Sequence, residues 1–142
     1  MTFESYVKAR LMDLVIEDGY SSGGVEAMLA VAQVIKNRVD AGWKGGDWLR
    51  VIEDAPEHRG TLQPSVQLHL DPRDGNFREL LRRIDDVYHG TADDTNVNND
   101  SGKSLYYAEL HNVNRDWFTE HITSDLESHP RLASVGQLTF FG

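Results

Sequence analysis

The stretch from Glu17 to Val39 constrains the fold of this chain most, because it places an acid between two amphipathic helical patterns. Apolar residues recur at helical spacing over roughly Thr2 to Asp18, which predicts a first helix with Thr2 as its N-cap. A Gly-containing segment, predicted to be a loop, follows it. The pattern resumes at Val25 with many Ala residues, which predicts a second helix that is central and well buried.

An acid at a helix end that packs against an apolar helix is a candidate general acid. Burial disfavours the ionised form of a carboxyl group, so such an acid retains its proton more readily than an exposed one does. Glu17 is therefore the candidate catalytic residue, and the alternative is an exposed acid at a helix end. Asp18 is adjacent in the chain, but on a regular helix it points about 100° away.

Length and composition exclude several classes of protein. A chain of 142 residues with 39% hydrophobic residues suits one domain, expected to span residues 1–142. The absence of cysteine excludes disulfides and thiolate chemistry. The formal charge of -9, from 23 acids and 14 bases, argues against nucleic acid as a partner. No apolar run approaches the ~18 residues of a transmembrane helix, so no membrane insertion is expected.

Two further helices are predicted after the central one. Asp47 is a suitable N-cap for a short helix that carries Trp48 to Ile52. The clearest apolar stripe of the chain predicts a longer helix that starts near Asp74 and stops at Gly90.

The last third of the chain has a different character. Thr91 to Lys103 is rich in Asn and Asp and is predicted to be a long exposed loop. Leu105 to Ala108 and Val135 to Phe141 are predicted to be strands, and Asn114 to His121 a helical turn. The expected fold class is therefore α+β and mostly helical, with a small β element near the C-terminus.

The helix from Glu26 into Asn37-Arg38-Val39, preceded by an acid and a short Gly-containing segment, resembles the cell-wall hydrolase family typified by spore cortex-lytic enzymes. Further features follow in the same order as in that family. They are Val51-Ile52 before Pro56, Asp94-Thr95 before Leu105-Tyr106-Tyr107, Trp117, and the closing stretch from Gly136 to Phe141.

The resemblance implies a lysozyme-like, transglycosylase-type fold that acts on peptidoglycan glycan strands without a cofactor. The family's catalytic Glu maps to Glu17, which would protonate the bond between N-acetylmuramic acid and N-acetylglucosamine. Attack by the 6-hydroxyl of the sugar needs only one acid, whereas hydrolysis usually needs a second carboxylate. Tyr106, Tyr107, Thr95 and Trp117 are the expected substrate-binding residues, since aromatic rings stack on sugars. On a strand, one of the two tyrosines is expected in the core and the other in the cleft.

The sequence also departs from the family pattern. The segment after Glu17 is longer than usual and lacks the family's second acid, Leu138 replaces a His, and Val97 to Lys103 resembles an insertion. These departures motivate an alternative, a degenerate member that binds glycan or forms part of a phage particle without cleaving. A peptidoglycan amidase is a further alternative.

Other polar residues receive structural interpretations. Glu26 begins a helix and Arg38 ends one, where their charges complement the helix dipole, and Asn37 suits a helix end. The expected role of Asn37 and Arg38 is to tie the helix end to neighbouring loops. None of the six histidines forms an i, i+4 pair, so no metal site is predicted.

The N-terminus has neither the basic nor the apolar segment of a signal peptide. The expectation is synthesis in the cytoplasm and action on the cell wall, either after release as an endolysin or within a phage particle. Phage virion proteins are accordingly candidate partners.

Overall fold

The structure is a computed structural model that describes residues 2–57, 75–92, 95–100, 102–110 and 118–142. Its helices and strands form an α+β fold that is mostly helical, which confirms the predicted class. The α-helices are α1 (Phe3–Val15), α2 (Ser21–Asp40), α3 (Trp48–Glu53) and α4 (Gly75–His89). The strands are β1 (Asn98–Asn99), β2 (Gly102–Lys103), β3 (Tyr106–Ala108), β4 (Arg131–Val135) and β5 (Leu138–Phe141).

The junction between α1 and α2 differs from the predicted loop. A π-helical turn, Ile16–Tyr20, continues α1 directly into α2, which is kinked at Gly23 and Gly24. Gly19 permits this path, because a Cβ atom there would lie 2.9 Å from the Met28 Cα atom. The glycine thus marks a close helix contact, whereas the sequence pattern had indicated a break.

Helix α2 is the centre of the core, as predicted. It packs against α1, α3, α4 and the sheet that contains β3, β4 and β5. Its Ala27, Ala30 and Ala32 are completely buried, and such small side chains allow neighbouring helices to approach closely. The core therefore holds α2 against the other helices and against the sheet.

Local signals set the ends of the other helices. Thr2 caps α1 by accepting a hydrogen bond from the Ser5 amide at 3.0 Å, and Asp47 caps α3 through the Leu49 amide at 3.1 Å. Helix α4 ends before Gly90, as predicted. Of its apolar stripe, Leu81 is exposed, whereas Leu80, Ile84 and Val87 are buried in the core that α4 shares with α2.

Two small antiparallel sheets are present among the described residues. Strands β1 and β2 form a hairpin within the segment predicted to be an exposed loop. That prediction is wrong in part, because Thr95 and Val97, which precede the hairpin, are buried. The second sheet has the order β3-β5-β4, with Tyr107 opposite Phe140. The predicted strand from Val135 to Phe141 is in fact the end of β4, a turn and β5, and the sequence pattern does not indicate the rest of β4.

None of the described helices has the length and apolar character that crossing a bilayer requires.

The C-terminal end of α4 carries a pH-sensitive contact with α1. His89 Nδ1 faces the Asp85 carbonyl at 3.0 Å, and Nε2 faces Glu4 at 2.9 Å. The Asp85 carbonyl and then the Glu4 carboxylate raise the pKa of His89 above its usual value of 6.5. Lys8 lies in the same group, 2.6 Å from Asp85, and its pKa is raised by that hydrogen bond.

This contact predicts that His89→Gln loses more stability at acidic than at alkaline pH. A raised folded-state pKa means that protonated His89 stabilises the fold fully below the unfolded-state pKa of about 6.5. The contribution disappears as the pH rises through the folded-state pKa. Urea unfolding of both proteins at pH 5.5 and pH 9 measures the difference, and an equal or larger difference at pH 9 contradicts the assignment.

Candidate functional site

A cavity of about 200 Å³ lies between the π-helical turn, the start of α2 and the three-stranded sheet. Four acids, two serines and a tyrosine supply its polar wall, and Phe118, Ala108 and Leu138 supply its apolar wall. The polar residues are Glu17, Asp18, Ser21, Ser22, Glu57, Tyr107 and Glu109. A concave site with converging polar groups is the usual form of a ligand-binding cleft.

The π-helical turn brings Glu17 and Asp18 to the same cavity. On a regular α-helix, adjacent residues point in different directions. In this π-helical turn, however, the side chains of both residues line the cavity. Such π-helical turns are frequent at functional sites. Glu17 itself is exposed at the cavity's edge, so the burial that we expected for it is wrong.

Asp18 is fixed by a residue distant in the chain. The buried Tyr107 hydroxyl donates a hydrogen bond to Asp18 Oδ2, although the residues are 89 positions apart. Burial, followed by the nearby charges of Asp18 and Glu57, raises the pKa of Tyr107 well above 10.0. Tyr107 therefore remains a neutral hydroxyl that ties the π-helical turn to β3.

One acid of the wall, Glu57, belongs to a buried ion pair. Arg38 is completely buried, pairs with Glu57 and donates from Nε to the Leu105 carbonyl at 2.8 Å. Its guanidinium lies 4.7 Å from the centre of the Trp43 ring, a cation–π distance. Glu57 also accepts from the Tyr107 amide at 3.4 Å. This network holds the end of α2 against β3 and the segment that follows α3.

The β4–β5 turn packs against the start of α2, next to Ser22 of the cavity wall. Gly136 has a φ of +58°, and a Cβ atom there would lie 2.5 Å from the Ser22 carbonyl oxygen. Only glycine fits both the conformation and the space. The next amide, that of Gln137, donates to the same carbonyl at 2.8 Å. The Ser22 hydroxyl donates to Glu109 at 3.3 Å, which brings a further acid to the site.

The predicted substrate-binding residues do not all converge. Tyr107 lines the cavity with Glu17. Tyr106 points to the other face of β3, where the centre of its ring lies 5.4 Å from the centre of the Trp43 ring. The tyrosine that reaches the cavity is thus the buried one, contrary to the expected separation of core and cleft. Thr95 lines a different cavity, near Arg82, and its hydroxyl donates to Gln33 at 3.2 Å.

The remaining predicted residues are not part of the cavity wall or lie outside the described residues. Asn37 is buried and its Nδ2 donates to the Ser104 carbonyl at 2.8 Å and to Asn98 at 2.7 Å. Glu26 is exposed and pairs with Arg83 of α4 at 3.2 Å. Trp117 lies outside the described residues, as does the first part of the helical turn that was predicted around it.

Sequence reasoning missed three acids of the cavity: Asp18, Glu57 and Glu109. Glu57 follows Pro56 in a stretch without periodicity, and Glu109 follows a strand, so no local pattern distinguishes them from surface acids. Only the tertiary contacts with Arg38 and Ser22 show where they lie. Within the described part of the chain, no group of three or more His, Asp or Glu side chains is placed to hold a metal ion.

Comparisons of the chain with models of known protein families, with characterised proteins and with solved structures found no match.

Proposed function

We propose that the protein cleaves the glycan strand of peptidoglycan between N-acetylmuramic acid and N-acetylglucosamine, and that its fold is of the lysozyme-like type. One observation carries the proposal: the acid singled out by the family resemblance, Glu17, borders a cavity whose wall also includes Asp18 and Tyr107. A polar cleft with a carboxyl group at its edge is what proton delivery to a glycosidic oxygen requires.

In the proposed reaction Glu17 donates its proton to the glycosidic oxygen as the bond to the muramoyl carbon breaks. The resulting carboxylate then accepts a proton from the attacking group. That group is the sugar's own 6-hydroxyl in a lytic transglycosylase, which yields an anhydro sugar, or water in a muramidase. Tyr107 and Asp18 position the π-helical turn that carries Glu17.

Digestion of peptidoglycan sacculi tests this proposal. We expect wild-type protein to release soluble muropeptides, which mass spectrometry identifies. Anhydro-muramoyl ends indicate transglycosylation and new reducing ends indicate hydrolysis, and either supports glycan cleavage. Free stem peptides would instead identify an amidase and contradict the proposal.

A second candidate is a degenerate family member that binds glycan, or serves in a phage particle, without cleaving. The exposure of Glu17 favours it, because the cavity does not enclose this side chain and so does not separate it from bulk water. Co-sedimentation with sacculi without release of any product supports this candidate. Under either function, the proposed site of action is the cell wall, reached after release from the cytoplasm or as part of a virion.

A further inference from the structure

Ser21 brings a hydroxyl group to the cavity that the fold does not use. It is the first residue of α2, and it lines the cavity together with Glu17 of the π-helical turn. The residue is exposed, so a ligand that enters the cavity can reach it. No other described residue forms a hydrogen bond with the Ser21 hydroxyl. Its donor and acceptor capacity is therefore available to a ligand.

The other two hydroxyl groups of the described cavity wall already have acceptors. The Tyr107 hydroxyl donates to Asp18, and the Ser22 hydroxyl donates to Glu109 at 3.3 Å. The remaining polar side chains of the described wall are acids, which as carboxylates only accept hydrogen bonds. Among these side chains, Ser21 is thus the hydroxyl donor that remains for a ligand.

The backbone next to Ser21 is held in place from the sheet. The Gln137 amide of the β4–β5 turn donates to the Ser22 carbonyl at 2.8 Å. Gly136 of the same turn packs so closely that a Cβ atom there would lie 2.6 Å from the Gly23 Cα atom. These contacts fix the start of α2, so Ser21 lies at a rigid position of the wall. Binding groups at rigid positions lose little freedom when a ligand binds.

The chemistry of an N-acetylamino sugar matches this arrangement. Its hydroxyl and acetamido N–H groups can donate to the carboxylates of the wall. Its acetamido carbonyl oxygen, however, only accepts and needs a donor that a carboxylate cannot supply. In the proposed reaction the proton of Glu17 goes to the glycosidic oxygen. The Ser21 hydroxyl is the side-chain group left to serve the carbonyl.

We propose that Ser21 is a substrate-binding residue whose hydroxyl donates a hydrogen bond to the acetamido carbonyl oxygen of an N-acetylamino sugar in this cavity. The identity of the sugar rests on the proposed function, whereas the role of Ser21 as the donor rests on the geometry. The contact makes the site selective for N-acetylated glycan over glycan that has lost its acetyl groups.

Calorimetric titration of wild-type protein and Ser21→Ala with two trisaccharides tests this role. We expect the substitution to weaken binding of N,N′,N″-triacetylchitotriose about 3-fold to 10-fold, the effect of one lost neutral hydrogen bond. The glucosamine trimer has no acetyl group, so its affinity should not change. Equal affinities of the two proteins for the acetylated trimer would overturn the proposal, as would equal losses for both trimers. A wild-type protein that does not bind the acetylated trimer would also overturn it.

Two further variants separate the hydroxyl from effects on the fold. Ser21→Thr keeps the hydroxyl and should retain most of the affinity for the acetylated trimer. Ser128→Ala removes an exposed serine outside the cavity wall and should bind as the wild type does. Alanine is a good helix former and Ser21 is exposed, so we expect Ser21→Ala to fold normally, which urea unfolding checks. An affinity loss in Ser21→Thr as large as that in Ser21→Ala would contradict the role of the hydroxyl.

Sacculus digestion reports separately on cleavage. Muropeptide release with the same KM in Ser21→Ala and wild type rejects the role of Ser21 and retains the enzyme. Acetyl-dependent loss of affinity in Ser21→Ala, without any release by the wild type, retains the role of Ser21 and rejects cleavage.

Discussion

Replacement of Glu17 by Gln should lower the rate of muropeptide release by about 10²-fold to 10⁴-fold, the usual contribution of a positioned general acid. The amide has nearly the shape of the carboxyl group but cannot deliver a proton to the glycosidic oxygen. Since Glu17 is exposed at the cavity's edge, its removal should leave the core and the stability of the fold unchanged. The loss should therefore appear in kcat with little change in KM.

Glu26→Gln is the matched control for this experiment as well. Both acids are exposed, but Glu26 pairs with Arg83 and does not line the cavity. We expect Glu26→Gln to release muropeptides at the wild-type rate. Equal rates in Glu17→Gln and wild type would show that Glu17 is not the acid, and cleavage would then have to be assigned to another carboxylate of the cavity.

Replacement of Arg38 by Met should lower the free energy of unfolding by about 3–5 kcal/mol, the cost of leaving one member of a buried ion pair without its partner. Glu57 would remain buried without its countercharge, and the Leu105 carbonyl would lose its donor. For a chain of this size the loss corresponds to a decrease in Tm of roughly 10–17 °C. Methionine retains much of the side-chain volume, so the measurement reports mainly on the lost charge and hydrogen bonds.

Lys36→Met is the control for Arg38. Lys36 lies on the same helix and pairs with the exposed Asp40 at 2.8 Å, an ion pair of the kind that contributes at most about 1 kcal/mol. Urea denaturation of the three proteins compares the two substitutions directly. If Arg38→Met costs no more than Lys36→Met, the buried network does not stabilise the end of α2 as we describe.

The sequence predicted the fold best where local chemistry determines the structure. The caps at Thr2 and Asp47 and the end of α4 before Gly90 depend on short-range hydrogen bonds and backbone preferences. The burial of α2 followed from its apolar and Ala-rich composition. In each case the contacts that determine the structure join residues that are close in the chain or lie on one face of a helix. Such patterns can be read from a single sequence.

The errors occurred where packing overrides local preference. Gly19 resembles a loop signal, but its missing side chain allows the π-helical turn to contact α2 at Met28. Strand β4, Arg131–Val135, has half-exposed residues and no strong alternation, so only its pairing with β5 identifies it. Thr95 resembles a polar loop residue, yet the fold buries it.

In the candidate site, too, some residues could be predicted from local sequence patterns and others could not. Helical periodicity and the family resemblance together predicted Glu17 as a site residue. The resemblance and the predicted strand likewise indicated Tyr107. Asp18 and Glu57 could not be assigned, because their roles depend on Tyr107 and Arg38, which are distant in the chain. A site assembled from contacts between separate segments is visible only in the fold.

The most direct test of the proposed site is a crystal structure of Glu17→Gln with a tetrasaccharide of alternating N-acetylmuramic acid and N-acetylglucosamine. We predict a sugar in the cavity beside Tyr107, with a glycosidic oxygen within hydrogen-bonding distance of the amide group that replaces the Glu17 carboxyl group. A saccharide bound on another face, with this cavity unoccupied, would contradict the assignment of the cavity as the glycan-cleaving site.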